Sequence, residues 1–501
     1  MTPDAGASNG SAADPALAEI PQKRSLFERI SRRIRNLPEG DTLVPVSEPI
    51  MLTDTIRIAW GVEPFKMALS GALLEFHPDL PITGNPNGGN REWVIHPGAS
   101  FYQGVPQFIR IGPGETLLLG CADETQTRIF GFDRSVAIRH ARVSNRKGEL
   151  TIEPLELDHP VNVSTIDSPK AVWVARRENL LRLPDVLGRP LTPFDDDEAL
   201  EIFREVNGLL ATEVYREKDE HDVPGGILKI PDDMTTVILG DIHARADNVL
   251  RIIAEGGLLS ALEHGKTCLI FLGDLIHSQE TGELEDMTSS VLILDLFSML
   301  KRRFPENVFF IRGNHESFSP NVGKGGVPQG PLLRKHLKER RGKAFVTEIE
   351  NLFSGLAFVV QGNGFAACHA APVRSTVNRF TLVNIQRYPG IQAELVWNRL
   401  RQTNRPAGYG KGSVKRFRIA LDLPKHAPLI VAHTPLSTEE TVWLNVGDIK
   451  GHHVVYSAHT HRVAAMTISG GTMTPLEFIP EPALEFVNSD HDAKAAPAQS
   501  E

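Results

Sequence analysis

Several short blocks in the second half of the chain carry side chains suited to holding cations. Asp241 and His243 stand two apart in GDIHA (240–244), Asp274 closes TCLIFLGD (267–274), and Asn314 and His315 lie in RGNHE (312–316). His369 follows in CHAAP (368–372), His433 in VAHTP (431–435), and His459 and His461 in VVYSAHTHRVAAM (454–466). From one tight loop Asp241 and His243 can reach a single ion. The two oxygens of Asp274 can bridge two ions, and Asn314 with two of the four later histidines supplies neutral donors for the second. A set of carboxylate, amide and imidazole ligands favours Mn, Fe or Zn over Ca or Mg. Two such ions ~3.5–4 Å apart clamp an in-line displacement at phosphorus and generate hydroxide from a shared water near neutral pH. The leaving group then needs a proton donor, and His315, beside Asn314, is placed for it. Singly these residues say little, because Gly-Asp after a strand is usually a turn and a strand-end histidine is usually structural. The ordered set carries the inference.

The elements that must position them read as a βαβ pattern. TTVILGD (235–241), TCLIFLGD (267–274) and NVFFIRGNHE (307–316) are apolar runs that end in the ligand blocks, with a helical stretch at 287–304. LAFVV (356–360), FAACHA (365–370), LIVAHTP (429–435) and VVYSAHTH (454–461) continue the series. Apolar strands alternating with helices predict an α/β sheet covered on both faces, and ligands gather outside the carboxyl ends of such strands.

The rest of the chain is organised differently. With 501 residues, more than one core is expected. Residues 1–21 read as a disordered tail, and 22–49 as a basic amphipathic helix and linker. In the helix Leu26, Phe27, Ile30, Ile34 and Leu37 share a face ringed by Arg29, Arg32, Arg33 and Arg35. The reading as a membrane- or partner-docking helix stands beside that of a helix packed on its own protein. Residues 50–170 form a separate all-β domain of short strands such as FIRIG (108–112), TLLLG (116–120), RIFGF (128–132) and ELTIEPL (149–155). Residues 171–230 are a helical connector in which 194–220 reads as one helix opened by aspartates. The catalytic unit occupies 231–482, and a second disordered tail 483–501. The net charge of −9 gives no reason to expect nucleic acid as a partner. No apolar run reaches the length of a membrane span. The scattered cysteines Cys121, Cys268 and Cys368 suit a reducing compartment, so a cytoplasmic protein is expected.

On GDIHA, GD (273–274), RGNHE, CHAAP, LVWNR (395–399) and VAHTP, residues 230–480 resemble the calcineurin-like metallophosphoesterases. Within them the resemblance is to the phosphoprotein phosphatase branch, which includes bacteriophage-type phosphatases and diadenosine tetraphosphate hydrolases. It implies a two-sheet sandwich flanked by helices. It also implies Asp241, His243 and Asp274 on the first metal, Asp274, Asn314, His369 and His433 on the second, His315 as acid, and Arg312 and Arg399 on phosphate oxygens. His369 and His433 are preferred because LVWNR lies between them, as that branch requires. The alternative is a Gly-His-x-His-like reading of SAHTHR, with His459 and His461 as ligands. Two blocks depart from the pattern. GDLIHSQE has His277 for the aspartate that orients the catalytic histidine, with Glu280 as a candidate substitute, and Ser278 for a phosphate-binding arginine; GDIHA has Ala244 for its final glycine. Separately, 135–163 loosely resembles a forkhead-associated domain, with His140 and Asn162 near its landmarks but Cys121 and Ala137 where it places Arg and Ser. An unrelated β module is the alternative.

The expected function is a phosphomonoesterase acting on a phosphoprotein or nucleotide. A phosphodiesterase or dinucleotide polyphosphate hydrolase is the second reading, and a regulator that binds a phospholigand without turnover the third. The β domain would offer a surface to a protein partner.

Overall fold

A computed structural model describes residues 45–495 apart from 62, 86–89, 123–124, 126–128, 133–134, 168 and 402–406. The expected tail at 1–21 and the basic helix at 22–37 lie outside the described residues.

The apolar runs that end in Gly-Asp and Gly-Asn form neighbouring strands. Thr235–Leu239 pairs parallel with Thr267–Phe271, and that strand with Val308–Phe310. On the other side Thr235–Leu239 pairs antiparallel with Val463–Ser469, which pairs with Thr472–Phe478. A second, seven-stranded sheet contains Val359–Gly362, Phe365–Cys368, Leu429–Val431 and His452–Val455. Because side chains alternate across a strand, Ile238, Ile270 and Phe309 of the first sheet meet Ala367, Ile430 and Val455 of the second in one buried cluster. The opposite positions, Val237, Leu239, Leu269 and Phe271, pack into a cluster with helix residues Val249, Leu250, Val291 and Leu294. Leu382, Leu395, Val414 and Phe417 cover the far face of the second sheet. Burial on both faces explains why these strands are continuously apolar. The result is the two-sheet α/β sandwich flanked by helices.

Three element expectations shift. The helix expected over 194–220 spans only Asp196–Ala211, and the chain then enters the second sheet as Arg216–Lys218 and Pro224–Lys229. Glu213 ends it: its buried carboxylate takes Lys301 Nζ at 2.7 Å and Arg216 Nη1 at 3.0 Å, so the backbone must turn inward there. LAFVV pairs as a strand only from Val359. Where a tail was expected from 483, the helix Ala483–Ala495 begins, with Val487 buried in the main cluster and Leu484 N bonded to Asp247 Oδ1 at 2.8 Å.

The N-terminal module is all β. Six strands from Ile50–Met51 to Ile109–Ile111 and Val161–Thr165 face a four-stranded sheet that includes Thr116–Leu119, Ala141–Arg146 and Glu149–Pro154. Phe65, Phe76, Trp93, Val143 and Ile152 fill the space between them. The described part of RIFGF, 129–132, has no strand. Of the two landmark residues, His140 Nδ1 accepts from Ala137 N at 3.1 Å, and Asn162 lies in the strand Val161–Thr165, paired with Ala68.

A buried charge cluster fastens this module to the sandwich. Asp79, Glu92 and Arg110 come from the module, Arg176 from the helix Val172–Leu187, and Arg251, Glu255 and Glu481 from the sandwich; all are buried. Arg176 Nη1 bonds Asp79 Oδ1 at 3.0 Å, and its Nη2 reaches Leu80 O at 2.7 Å and Glu481 Oε1 at 3.2 Å. Arg110 contacts Asp79, and Arg251 contacts Glu255. Burial alone would raise the Asp79 carboxyl, but Arg110, Arg176 and Arg251 outweigh it and hold the group below the ordinary carboxylate range.

Candidate metal centre

The ligand loops meet only because three glycines let them. A Cβ on Gly240 would lie 2.2 Å from Val455 O, one on Gly273 2.5 Å from Gly313 Cα, and one on Gly313 2.4 Å from Asp274 N. Each Gly-Asp or Gly-Asn block therefore needs its glycine for close approach, and Gly273 also turns the chain at φ 93°. Backbone hydrogen bonds then knit the loops together. Ile242 N and His243 N donate to Asp274 O at 3.0 and 2.9 Å, and Ala244 N to Leu275 O at 2.7 Å. His243, Asp274, His277 and His433 sit in the left-handed region at φ 46°, 49°, 68° and 63°. Such conformations persist only where the surroundings over-determine them, and they gather at functional sites.

The side chains so placed converge. His369 Nδ1 lies 2.7 Å from Leu272 O, which fixes a proton on that nitrogen and turns Nε2 toward the other ligand candidates. Around that Nε2 stand Asn314 Oδ1 at 3.1 Å, His433 Nδ1 at 3.2 Å and Asp274 Oδ1 at 3.4 Å. Acceptors this close repel one another unless a positive charge lies among them. Burial opposes a charge on His369, yet Asp274, Asp241 and Glu316 push its imidazole up to about 9. Asp274, although buried, is held well below the usual range by His369, His315 and His243. His243 Nε2 faces Asp241 Oδ2 at 3.6 Å, and His243, Asp274 and His315 form a second group with metal-ligand spacing. The donor set and its geometry fit two cations that share Asp274.

His315 borders this centre. Its Nε2 is 3.9 Å from Asp274 Oδ2, and its Nδ1 is 3.1 Å from His277 Nδ1. Burial holds His315 down to about 4, so the ring is neutral and the two facing Nδ1 atoms share one proton. With that proton on His277, His315 carries its own on Nε2. His277 thus holds the ring in the place of the missing carboxylate. Glu280 does not take that part, because it pairs with Arg245 at 2.9 Å.

Of the four late histidines, the structure brings His369 and His433 into the cluster and leaves His459 and His461 out. The His459 ring lies 4.6 Å from the Tyr456 ring at a tilt of 56°, and His461 is exposed beside Glu439 O at 3.3 Å. Ser457 anchors this segment, accepting from Gly240 N at 2.9 Å and donating to Ala464 O at 2.6 Å just before position 459. Arg312 also misses the cleft. Its guanidinium lies over the Phe358 ring and lines a neighbouring cavity of about 210 Å³. Arg399 does line the cleft, with Nη1 on Thr434 Oγ1 at 3.0 Å, beside His433.

Residues 234–463 match the profile of the calcineurin-like phosphoesterase family. That stretch of the chain belongs to the calcineurin-like phosphoesterases. Its relatives are phosphoprotein phosphatases. The chain is 29% identical over 167 residues to the serine/threonine-protein phosphatase PP2A-like PPG1 of Candida albicans, covering 32% of this chain and 36% of that protein. The Saccharomyces cerevisiae protein of the same name is 25% identical over 173 residues, covering 34% and 43%. The chain thus spans well under half the length of these curated relatives. A solved protein serine/threonine phosphatase from Saccharomyces cerevisiae, described as similar to human phosphatase PP5, aligns with a TM-score of 0.44 at 16% identity over 57% of this chain and 90% of that one.

The phosphoesterase centre opens into a cleft of about 730 Å³. Besides the ligands it is lined by Gln279, Lys324, Trp397, Leu436 and Tyr456. In the sequence Trp397 and Tyr456 stand inside legible blocks with no signal that their side chains line the site, and for Lys324 the one hint is the glycine-rich run GKGG (323–326), which marks a constrained loop.

Glu316, the last residue of RGNHE, was also missed. It accepts from Asp274 N at 2.9 Å, Leu275 N at 3.0 Å and Gly313 N at 2.8 Å, and so bolts the two ligand loops of the phosphoesterase together. Glu316→Ala strands three buried amides, and urea denaturation should show a loss of at least about 3 kcal/mol. An unchanged midpoint would refute that role.

Proposed function

We propose that the chain hydrolyses phosphomonoesters, with a phosphoprotein as substrate. The observation that carries this is the ring of acceptors about His369 Nε2, set one residue from a neutral His315 on the same cleft. Asp241, His243 and Asp274 would hold one metal ion, and Asp274, Asn314, His369 and His433 the other; Mn, Fe or Zn suit these donors. When bound, the ions supply a nucleophile at neutral pH and neutralise charge on the phosphoryl oxygens. The chain's own residues do the rest. Arg399 holds a phosphoryl oxygen, Trp397 and Tyr456 wall the cleft, and His315 gives its Nε2 proton to the departing oxygen while His277 fixes the ring.

The relatives' names support a phosphoprotein substrate. Among the described residues none of the β module lines the cleft, and that module is proposed to meet a protein partner. Three free cysteines accord with a cytoplasmic enzyme. Among the described residues no helix is long and apolar enough to cross a membrane.

The test is metal analysis of the purified chain, followed by turnover of p-nitrophenyl phosphate, its bis ester and a phosphoserine peptide. Two ions per chain and monoester preference are expected. His315→Ala should lower kcat roughly 10²–10⁴-fold with the metals retained. Preference for the bis ester would favour a diesterase. Metal without turnover, unchanged by His315→Ala, would leave only a binding role.

A further inference from the structure

A phosphoesterase that has lost a phosphate-binding arginine needs its positive charge from elsewhere. At the departed position Ser278 is buried, and its hydroxyl donates to Glu283 at 2.7 Å, so this position offers no cation. The same wall of the cleft nevertheless carries a cation. Lys324 lines it, and its Nζ donates to Gln279 O at 2.8 Å, one residue past Ser278.

The loop bearing Lys324 is tightly constructed. Val327 N donates to Lys324 O at 2.9 Å, Gln329 N to Val327 O at 3.0 Å, and Gly330 N to Val322 O at 3.2 Å. A Cβ on Gly323 would lie 2.0 Å from Val327 O, so only glycine fits, and Gly325 and Gly326 turn the chain at φ 59° and 85°. Gln329 Nε2 bonds Ser278 O at 2.8 Å, which ties this loop to the segment that lost the arginine. Three glycines thus present one long side chain to the cleft from a braced turn. Lys324 is exposed and pairs with no carboxylate among the described residues, so its charge is available to an anion. Lys324 and Arg399 are the lysine and arginine that line the cleft among the described residues.

We propose that Lys324 grips the phosphoryl group in the place of the missing arginine, together with Arg399. The inference rests on the phosphoesterase reading of the cleft. An ammonium supplies charge without the planar fork of a guanidinium. It therefore holds one oxygen and leaves the rest of the group to Arg399 and the metal ligands.

The experiment is calorimetric binding of inorganic phosphate to the metal-loaded full chain, with KM for p-nitrophenyl phosphate alongside. Lys324→Ala should weaken phosphate binding and raise KM roughly tenfold at unchanged metal content, and Lys324→Arg should regain most of the loss. Lys324→Gln keeps a donor for Gln279 O and separates charge from loop bracing. Weak phosphate binding in both the alanine and glutamine variants supports the proposal. Binding lost in alanine but kept in glutamine, or kept in both, overturns it. Wild-type protein that holds metal yet neither binds phosphate nor turns over would sink the phosphoesterase reading itself, and this inference with it.

Discussion

Asp274→Asn should empty the metal centre and abolish turnover while leaving the fold in place. The substitution keeps an oxygen to accept from His315 N, which bonds Asp274 Oδ1 at 2.8 Å, so the loop has no reason to open. What it removes is the charge that both ligand groups share: Asp274 is common to the group with His243 and His315 and to the group with His369 and His433. Loss of an outer partner of a ligand typically lowers metal affinity ~10–100-fold, so loss of a shared ligand should exceed about a hundredfold for both ions. Elemental analysis after dialysis reads this directly, and circular dichroism checks the fold. Retention of two ions by the variant would refute the bridging assignment.

A second large effect is expected far from the cleft. Arg176→Met removes the cation that Asp79 Oδ1 and Glu481 Oε1 meet at 3.0 and 3.2 Å, leaving the buried carboxylates Asp79, Glu92, Glu255 and Glu481 with Arg110 and Arg251 as the remaining cations of the cluster. Breaking one side of a buried ion pair costs about 3–5 kcal/mol. Chemical denaturation should show a loss of that size, whereas kcat of the protein that remains folded should not change, since Arg176 does not line the cleft. Adding Asp79→Asn should restore part of the loss, because it removes one of the carboxylate charges left in excess; a simple sum of two losses would show that the pair is not coupled.

What the sequence disclosed and what it hid divide along physical lines. The strands before Asp241, Asp274 and Asn314 are legible because burial on both faces demands an unbroken apolar run, which few other contexts do. The ligands are legible because strand ends deliver them in order. The choice among His369, His433, His459 and His461 is not local: it turns on Ser457 tying its segment to Gly240 across the sheet. Arg312 misleads because a residue next to a ligand block looks catalytic, while the backbone bond from its amide to Ala357 O at 2.8 Å accompanies a side chain turned toward Phe358. Lys324 and Glu316 go unseen for a related reason, as their partners are backbone atoms that carry no residue-specific signal. The helix at Ala483–Ala495 hides in a polar, alanine-rich stretch whose order comes from packing Val487.

The charge cluster also has a consequence in time. Glu481 Oε1 accepts from Ile82 N at 2.8 Å across 399 residues, and from Arg176 across 305. A ribosome adding ~5–20 residues per second needs roughly 20 to 70 s to travel from position 110 to position 481. During that interval Arg110, Arg176 and Arg251 emerge in turn, and Glu481 is the last of the cluster's carboxylates to follow them. The N-terminal module can take shape early, but it cannot be sealed onto its neighbour until the last strands of the phosphoesterase have been made. Completion of the catalytic half is thereby the event that locks the first half in place.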